Sequence, residues 1–317
     1  MGKAGIILSM MIFGSIGLFV RSIDAQSSQI ALARAVFGSA FLLVLILIRG
    51  RLKGRKQADR FRLADYGRNK LIRLIISGIA IGFNWIFLFQ AYRYTSIAVA
   101  TVSYYFAPVF IILLSPLVLK EKLDRHRLYA VLIALTGLAM TIAGELTTSS
   151  SVIDRVTSFQ GLIGIGYGLA AALLYASVIL ITKSVGNFPG LEMTQIQLVS
   201  GMVILLPYVA LTVGFDQLVN LQTKGFVLLL ILGVIHTGLA YFIYFSSALL
   251  VKAQSIAILS YIDPLFAILF AVIFLSEIPG PLQTVGGLLI LGAAYFGEAA
   301  ADRSKKRAQT ADSIVAK

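Results

Sequence analysis

A single carboxylate interrupts one of the most apolar stretches of the chain. It lies in ILSYIDPLF (Ile258–Phe266), where Asp263 directly precedes Pro264. An ionised carboxylate at mid-bilayer costs at least ~2.5–3.5 kcal/mol on insertion scales, so such a residue faces water, holds a cation or carries a proton. Ser260 and Ala267 share its helical face by i−3 and i+4 spacing, and that face is small and polar. Pro264 removes a backbone donor and crowds the preceding turn, which bends the helix and frees carbonyls. Asp263 is therefore a candidate to bind a cationic group of a substrate, or a proton exchanged against it. The alternative is a local role, in which it satisfies the proline kink or pairs with a buried base.

Other polar residues stand at similar depth. His236, in GVIHTGLAYFIY, titrates near neutrality and is a candidate substrate or proton-relay residue. Were it to face Asp263, the two would titrate as a coupled pair. Otherwise it is a hydrogen-bonded packing residue. Arg34 sits about two turns into a span, at ~1.5 Å per residue. It could attract an anionic group such as an amino-acid carboxylate, or serve as a structural or gating residue. Gln197 occupies the matching place later in the chain. Asn84 and Trp85, Tyr104 and Tyr105, Tyr175, and Tyr241 and Tyr244 are candidates for a binding wall. Aromatic faces attract ammonium groups, and a mid-depth tyrosine hydroxyl needs a wet or polar neighbour. Helix packing is the alternative for each. Glu121 and Glu277 end two spans and suit capping or gate contacts, and Pro108 and Pro264 are candidate hinges.

These residues must be positioned by helices in a bilayer. Of 317 residues, 58% are hydrophobic and only 13% charged, too few polar groups to cover a soluble core. Continuous apolar runs of about 20 residues, the length that crosses ~30 Å of hydrocarbon as a helix, exclude an alternating β-barrel pattern. Ten spans are expected, at about 4–20, 27–48, 71–92, 96–118, 126–144, 160–182, 192–213, 225–249, 253–275 and 281–299. The apolar N-terminus has no convincing small-residue cleavage site and reads as the first span. With no cysteine and two histidines, disulfides, thiolate chemistry and iron–sulfur clusters are excluded and a zinc site is improbable. No cofactor is expected. No G-x-x-x-x-G-K-[ST] occurs, so an ATP motor is not expected.

The net charge of +13 is topological rather than a sign of a nucleic-acid partner. Ten of the 27 Lys/Arg fall between Arg49 and Arg73. With both termini cytoplasmic, 22 Lys/Arg lie on the cytoplasmic side and four (Arg21, Arg93, Arg155, Lys224) opposite, a strong positive-inside bias. The expectation is a multi-pass protein of the plasma membrane. Its partners would be a small-molecule substrate and the bilayer, with anionic lipid at the basic loop 49–70; a homodimer is allowed.

The two halves repeat. YYFAPVFIILLSPLVLKE (104–121) superimposes on SYIDPLFAILFAVIFLSE (260–277) at an offset of 156, pairing Pro108 with Pro264 and Glu121 with Glu277. The same offset pairs Gly82 with Gly238, and small loop shifts pair Gly38 with Gly201 and Arg21 with Lys183. The first position of the A/D-P-x-F segment is Ala107 in one copy and Asp263 in the other, so pseudo-symmetry does not demand the acid. Five spans per repeat is an odd number, so the second copy must be inverted, as in transporters whose substrate site lies near the midplane between repeats. The expected units are 1–145, a linker at 146–159, a second repeat at 160–300 and a basic tail at 301–317.

This pattern resembles the EamA-type members of the drug/metabolite transporter superfamily. The A/D-P-x-F segment in each fourth helix, the glycine-rich fifth helices LYAVLIALTGLAM and VGGLLILGAAYFGE, and Arg-Ala-Val-Phe early in span 2 carry the resemblance, which covers essentially the whole chain. It implies alternating-access export or exchange of a small metabolite and no enzyme activity. The residues add that a cationic or zwitterionic substrate suits Asp263 and an aromatic wall. The rival expectations are a non-transporting scaffold or sensor, and an intramembrane lipid-acting enzyme, for which two intramembrane charges and one histidine are few.

Overall fold

A computed structural model describes residues 2–52, 67–95, 97–146, 159–276, 280–282, 284–297 and 299. Within these the chain is helical, and eight helices are long and apolar enough to cross a bilayer. They are span 1 (Gly2–Val20), span 2 (Ser27–Arg51), span 3 (Arg68–Tyr94), span 4 (Val99–Leu119), span 6 (Phe159–Val185), span 7 (Gly190–Thr212), span 8 (Thr223–Ala248) and span 9 (Ala253–Phe274). The helix Arg125–Leu146 fills the place of span 5, and the shorter apolar helix Thr284–Gly297 that of span 10. The fold is thus all-α, with the ten elements where the apolar runs put them. Glu277, residues 53–66 of the basic loop, 147–158 of the linker and the 301–317 tail lie outside the described residues.

The packing has a two-fold pattern under exchange of the repeats. Span 3 packs on spans 6 and 7, and its counterpart, span 8, packs on spans 1 and 2. Span 6 lies along span 4 as span 1 lies along span 9, while spans 2 and 7, and spans 4 and 9, meet their own counterparts. Lipid offers no hydrophobic drive for helices to associate, so close crossings at small residues carry the contact. A Cβ on Gly201 would stand 3.2 Å from Gly78 O, and one on Gly38 would stand 3.0 Å from Gly233 O and from Gly238 N. The glycine pairs matched by sequence are the crossing points of spans 3/7 and 8/2. Outward faces are apolar, as at Leu117 and Leu211 (78% and 87% exposed), where lipid is their solvent.

Four spans depart from a plain helix at the positions that matter for the site, and span 1 does so at Ser15, between Gly2–Gly14 and Ile16–Val20. Span 4 breaks between Tyr104 and Ala107, and span 9 between Leu259 and Ile262, each just before the proline of its repeat. The proline cannot donate to the previous turn, and in span 4 the Val109 N–H turns to Phe106 O (2.9 Å). Tyr105 O then lacks its helical donor and accepts from the Tyr261 hydroxyl (2.9 Å). Span 8 carries a π turn at Leu232–Leu239.

Candidate functional site

The broken helices converge on a cavity of about 430 Å³. It is lined by the second half of span 1, the first turns of span 2, the second half of span 3 and the first half of span 4. Those segments all end on the face that carries the 21–26 connection, so the cavity occupies that half of the bundle. Spans 6, 8 and 9 complete its floor through Tyr175, Tyr244, Ser260 and Asp263.

Asp263 lines the cavity, flanked by Ser260 and Ala267 as the helical spacing requires. Its Oδ2 accepts a hydrogen bond from the Tyr105 hydroxyl (3.0 Å). The Tyr105 ring stacks on Tyr261, its counterpart in the other repeat (centroids 6.2 Å, 26° between planes). Behind the carboxylate, span 1 passes so close that a Cβ on Gly14 would stand 2.7 Å from Asp263 O. The acid is held by two repeats at once, and among the described residues no basic side chain forms an ion pair with it.

Arg34 reaches the same cavity from span 2. Its Nε donates to Thr237 Oγ1 (3.0 Å), and its guanidinium lies 5.9 Å from the centroid of the Trp85 ring. Trp85 and Tyr241, matched at the offset of 156, lie 6.3 Å apart. Tyr104 lies 5.9 Å from Tyr175, whose hydroxyl meets that of Tyr244 at 2.7 Å. Asn84 lines the cavity and donates to Ala171 O (2.6 Å), tying span 3 to span 6. Thus Asp263, Arg34, Asn84, Trp85, Tyr104, Tyr105, Tyr175, Tyr241 and Tyr244 come together, and Asp263 and Arg34 are the two charged side chains in the described lining.

Two expected site residues do not. His236 is buried behind the wall, with Nε2 2.9 Å from Ser15 Oγ and its ring against Phe19, and it is absent from the cavity lining. His236 therefore does not face Asp263, and the π turn aims Thr237 rather than His236 at Arg34. Gln197 is likewise away from the cavity. It donates to Ser77 Oγ and Thr182 Oγ1 (2.8 Å each), joining spans 3, 6 and 7.

Sequence reasoning missed Phe13, whose ring is 5.2 Å from Tyr241, and Tyr92 and Leu88. The repeat contained two of these signals. The offset that pairs Arg21 with Lys183 pairs Phe13 with Tyr175, and the offset of 156 pairs Leu88 with Tyr244.

The opposite half of the bundle is closed by a polar layer. Glu121 Oε1 accepts the Ala253 N–H (3.1 Å), capping span 9. Gln254 accepts from Asp124 N (3.0 Å) and donates to Lys122 O (2.9 Å). Lys183 Nζ donates to Ala248 O (3.1 Å) and Val251 O at the end of span 8. On this face Arg49 pairs with Glu192, and Arg73 and Lys70 hold the carbonyls of Ser184 and Asn187 (3.1 and 3.3 Å). Arg49, Lys70 and Arg73, at the ends of the basic segment, thus each have a protein partner on this face. Pro108 and Pro264 mark breaks, which is the geometry a hinge needs.

Among the described residues no cluster of His, Cys, Asp or Glu could hold a metal ion. The profile of the EamA-like transporter family matches residues 1–143 and 162–296, once per repeat. "Uncharacterized transporter YxxF" of Bacillus subtilis is 29% identical over 286 residues, covering 90% of this chain and 85% of that protein. Human "Solute carrier family 35 member G1" is 26% identical, covering 92% and 77%. "Protein PecM" of Dickeya dadantii is 30% identical over 229 residues, covering 70% and 72%. A solved crystal structure at 16% identity superimposes with a TM-score of 0.76 over 93% of this chain and 96% of the other, a likeness of fold alone. With one copy of the family's pattern in each half and the helices of both arranged about a shared cavity, this integral membrane protein belongs to the EamA-like transporter family.

Proposed function

We propose that this membrane transporter carries a small zwitterionic or amine metabolite by alternating access, through the cavity between Arg34 and Asp263. The observation that carries this reading is the separation of the two charges. They line one cavity, make no ion pair with each other, and have an aromatic wall between them. An ammonium group suits the Asp263 carboxylate beside Tyr105, and a carboxylate suits the guanidinium over Trp85. Aromatic faces attract the ammonium and cover the apolar part of the molecule.

The excess of Lys/Arg on the closed face argues that this face is cytoplasmic. Both termini then lie in the cytoplasm and the cavity opens outward. Closure by Glu121 and Gln254 is built of hydrogen bonds between the two repeats, which can be broken and remade as the repeats rock, while Lys183 ties spans 6 and 8 within the second repeat. Asp263 is the candidate coupler, because a proton and an ammonium group compete for one carboxylate. Export or exchange across a plasma membrane is the role this arrangement suits.

The test measures thermal shifts of the purified protein with amino acids, their decarboxylated amines and carboxylates, at about pH 6 and pH 8, followed by counterflow in proteoliposomes. A ligand at ~100 times its Kd stabilises by about 2.7 kcal/mol. A zwitterion is expected to shift wild type more at the higher pH, and to lose the shift in Asp263→Asn. The decarboxylated amine should depend on Asp263 but not on Arg34→Gln. Equal shifts in wild type and Asp263→Asn would overturn the assignment.

A further inference from the structure

Span 8 is one residue longer than span 3 between matching crossing points. In span 3, three residues separate Gly78 from Gly82, and Gly201 of span 7 packs against Gly78 O and Gly82 N. In span 8, four separate Gly233 from Gly238, and Gly38 of span 2 packs against Gly233 O and Gly238 N. The two crossings are the same contact in opposite repeats. An additional residue within one turn of a helix whose ends are fixed must be absorbed as a π turn, and Leu232–Leu239 is that turn.

The inserted turn holds Arg34. Thr237 Oγ1 donates to Leu232 O five residues back (3.0 Å), a bond that an α-helix does not present. A hydroxyl has one proton and two acceptor sites, so with its proton committed Thr237 turns a lone pair to Arg34 Nε (3.0 Å). His236 braces the turn against Ser15, at the break in span 1 next to Gly14, which rests on the backbone of Asp263. The other repeat lacks this device. The counterpart of Thr237 there is Ile81, and the counterpart of Arg34, Gln197, bonds to Ser77 and Thr182 outside the cavity.

We infer that the π turn of span 8 is a one-residue insertion that makes Thr237 the positioning residue for Arg34, fixing the guanidinium over Trp85 inside the cavity. The inference rests on the reading of Arg34 as a cavity-facing binding group.

Trp85 is the chain's one tryptophan, so its fluorescence reports this site alone. A fixed positive charge beside the ring concentrates an anionic quencher, and the ratio of iodide to acrylamide quenching measures it. The variants Arg34→Gln, Thr237→Val and Thr237→Ser are compared with wild type, each first shown monodisperse in detergent. Arg34→Gln is expected to lower the ratio by about twofold or more. Thr237→Val should lower it to the same value, and Thr237→Ser should keep the wild-type ratio. A wild-type ratio in Thr237→Val, with a lowered one in Arg34→Gln, would overturn the positioning role while leaving Arg34 in the cavity. An unchanged ratio in Arg34→Gln would overturn both, because the guanidinium would then not lie beside Trp85.

Discussion

At the scale of single residues, a mid-membrane charge is its own signal, because burying it without a purpose is costly. Asp263 and Arg34 were legible for that reason, and both line the cavity. His236 stands at a similar depth yet packs against Ser15 behind the cavity wall, because depth says nothing about which way a side chain points. Counting one helical turn back from Tyr241 reaches Thr237, and Thr237 is the residue that meets Arg34. Gln197, a coupling or gating candidate, lies off the cavity. Its pseudo-symmetric match to Arg34 is real in position, but Ser77 and Thr182 offer it partners inside the bundle. It is expected to stabilise the fold rather than the ligand. Gln197→Leu should lower the thermal midpoint, by about 1–2 kcal/mol of stability for lost interhelical bonds, while ligand-induced shifts keep their wild-type size. A loss of ligand response at unchanged stability would return Gln197 to the site.

At the scale of elements, apolar run lengths located every span to within a few residues, and the prolines marked both broken helices. The π turn was not read from the sequence, since its sign is a change of one residue in the repeat offset, from 156 at Gly82/Gly238 to 155 at Gly78/Gly233. Only the shared crossing with spans 2 and 7 makes that change visible. The crossings also set an expectation that opposes helix propensity. Ala is ordinarily better than Gly within a helix by ~1 kcal/mol. At Gly38 the added methyl would meet backbone atoms 3.0 Å away on span 8, which cannot yield as a flexible side chain does. Gly38→Ala is therefore expected to destabilise by about 1–3 kcal/mol. Gly166→Ala, on span 6 with open space around it, should be neutral or stabilising. Equal effects at the two sites in thermal unfolding would contradict the crossing.

At the scale of the whole molecule, the repeat explains the fold and supports the proposed alternating access. Ten helices in two inverted copies share contacts related by the exchange of repeats, yet this structure is open on one side and sealed on the other. Near-equivalent halves in unequal arrangements are what alternating access requires. The inverted repeat was legible because five spans per copy is odd and the A/D-P-x-F segments align. Which side the cavity opens to was not, because it depends on how the two copies lean, and no single residue encodes that. The decisive measurement is side-specific labelling of Gly17→Cys in intact cells. Gly17 lines the cavity with no neighbour crowding it, and the chain has no cysteine of its own. A membrane-impermeant thiol reagent is expected to reach it from outside, with labelling slowed by the ligand that best stabilises the purified protein. Labelling only from the side of the 49–73 segment, or labelling that this ligand does not affect, would contradict an outward-opening substrate cavity.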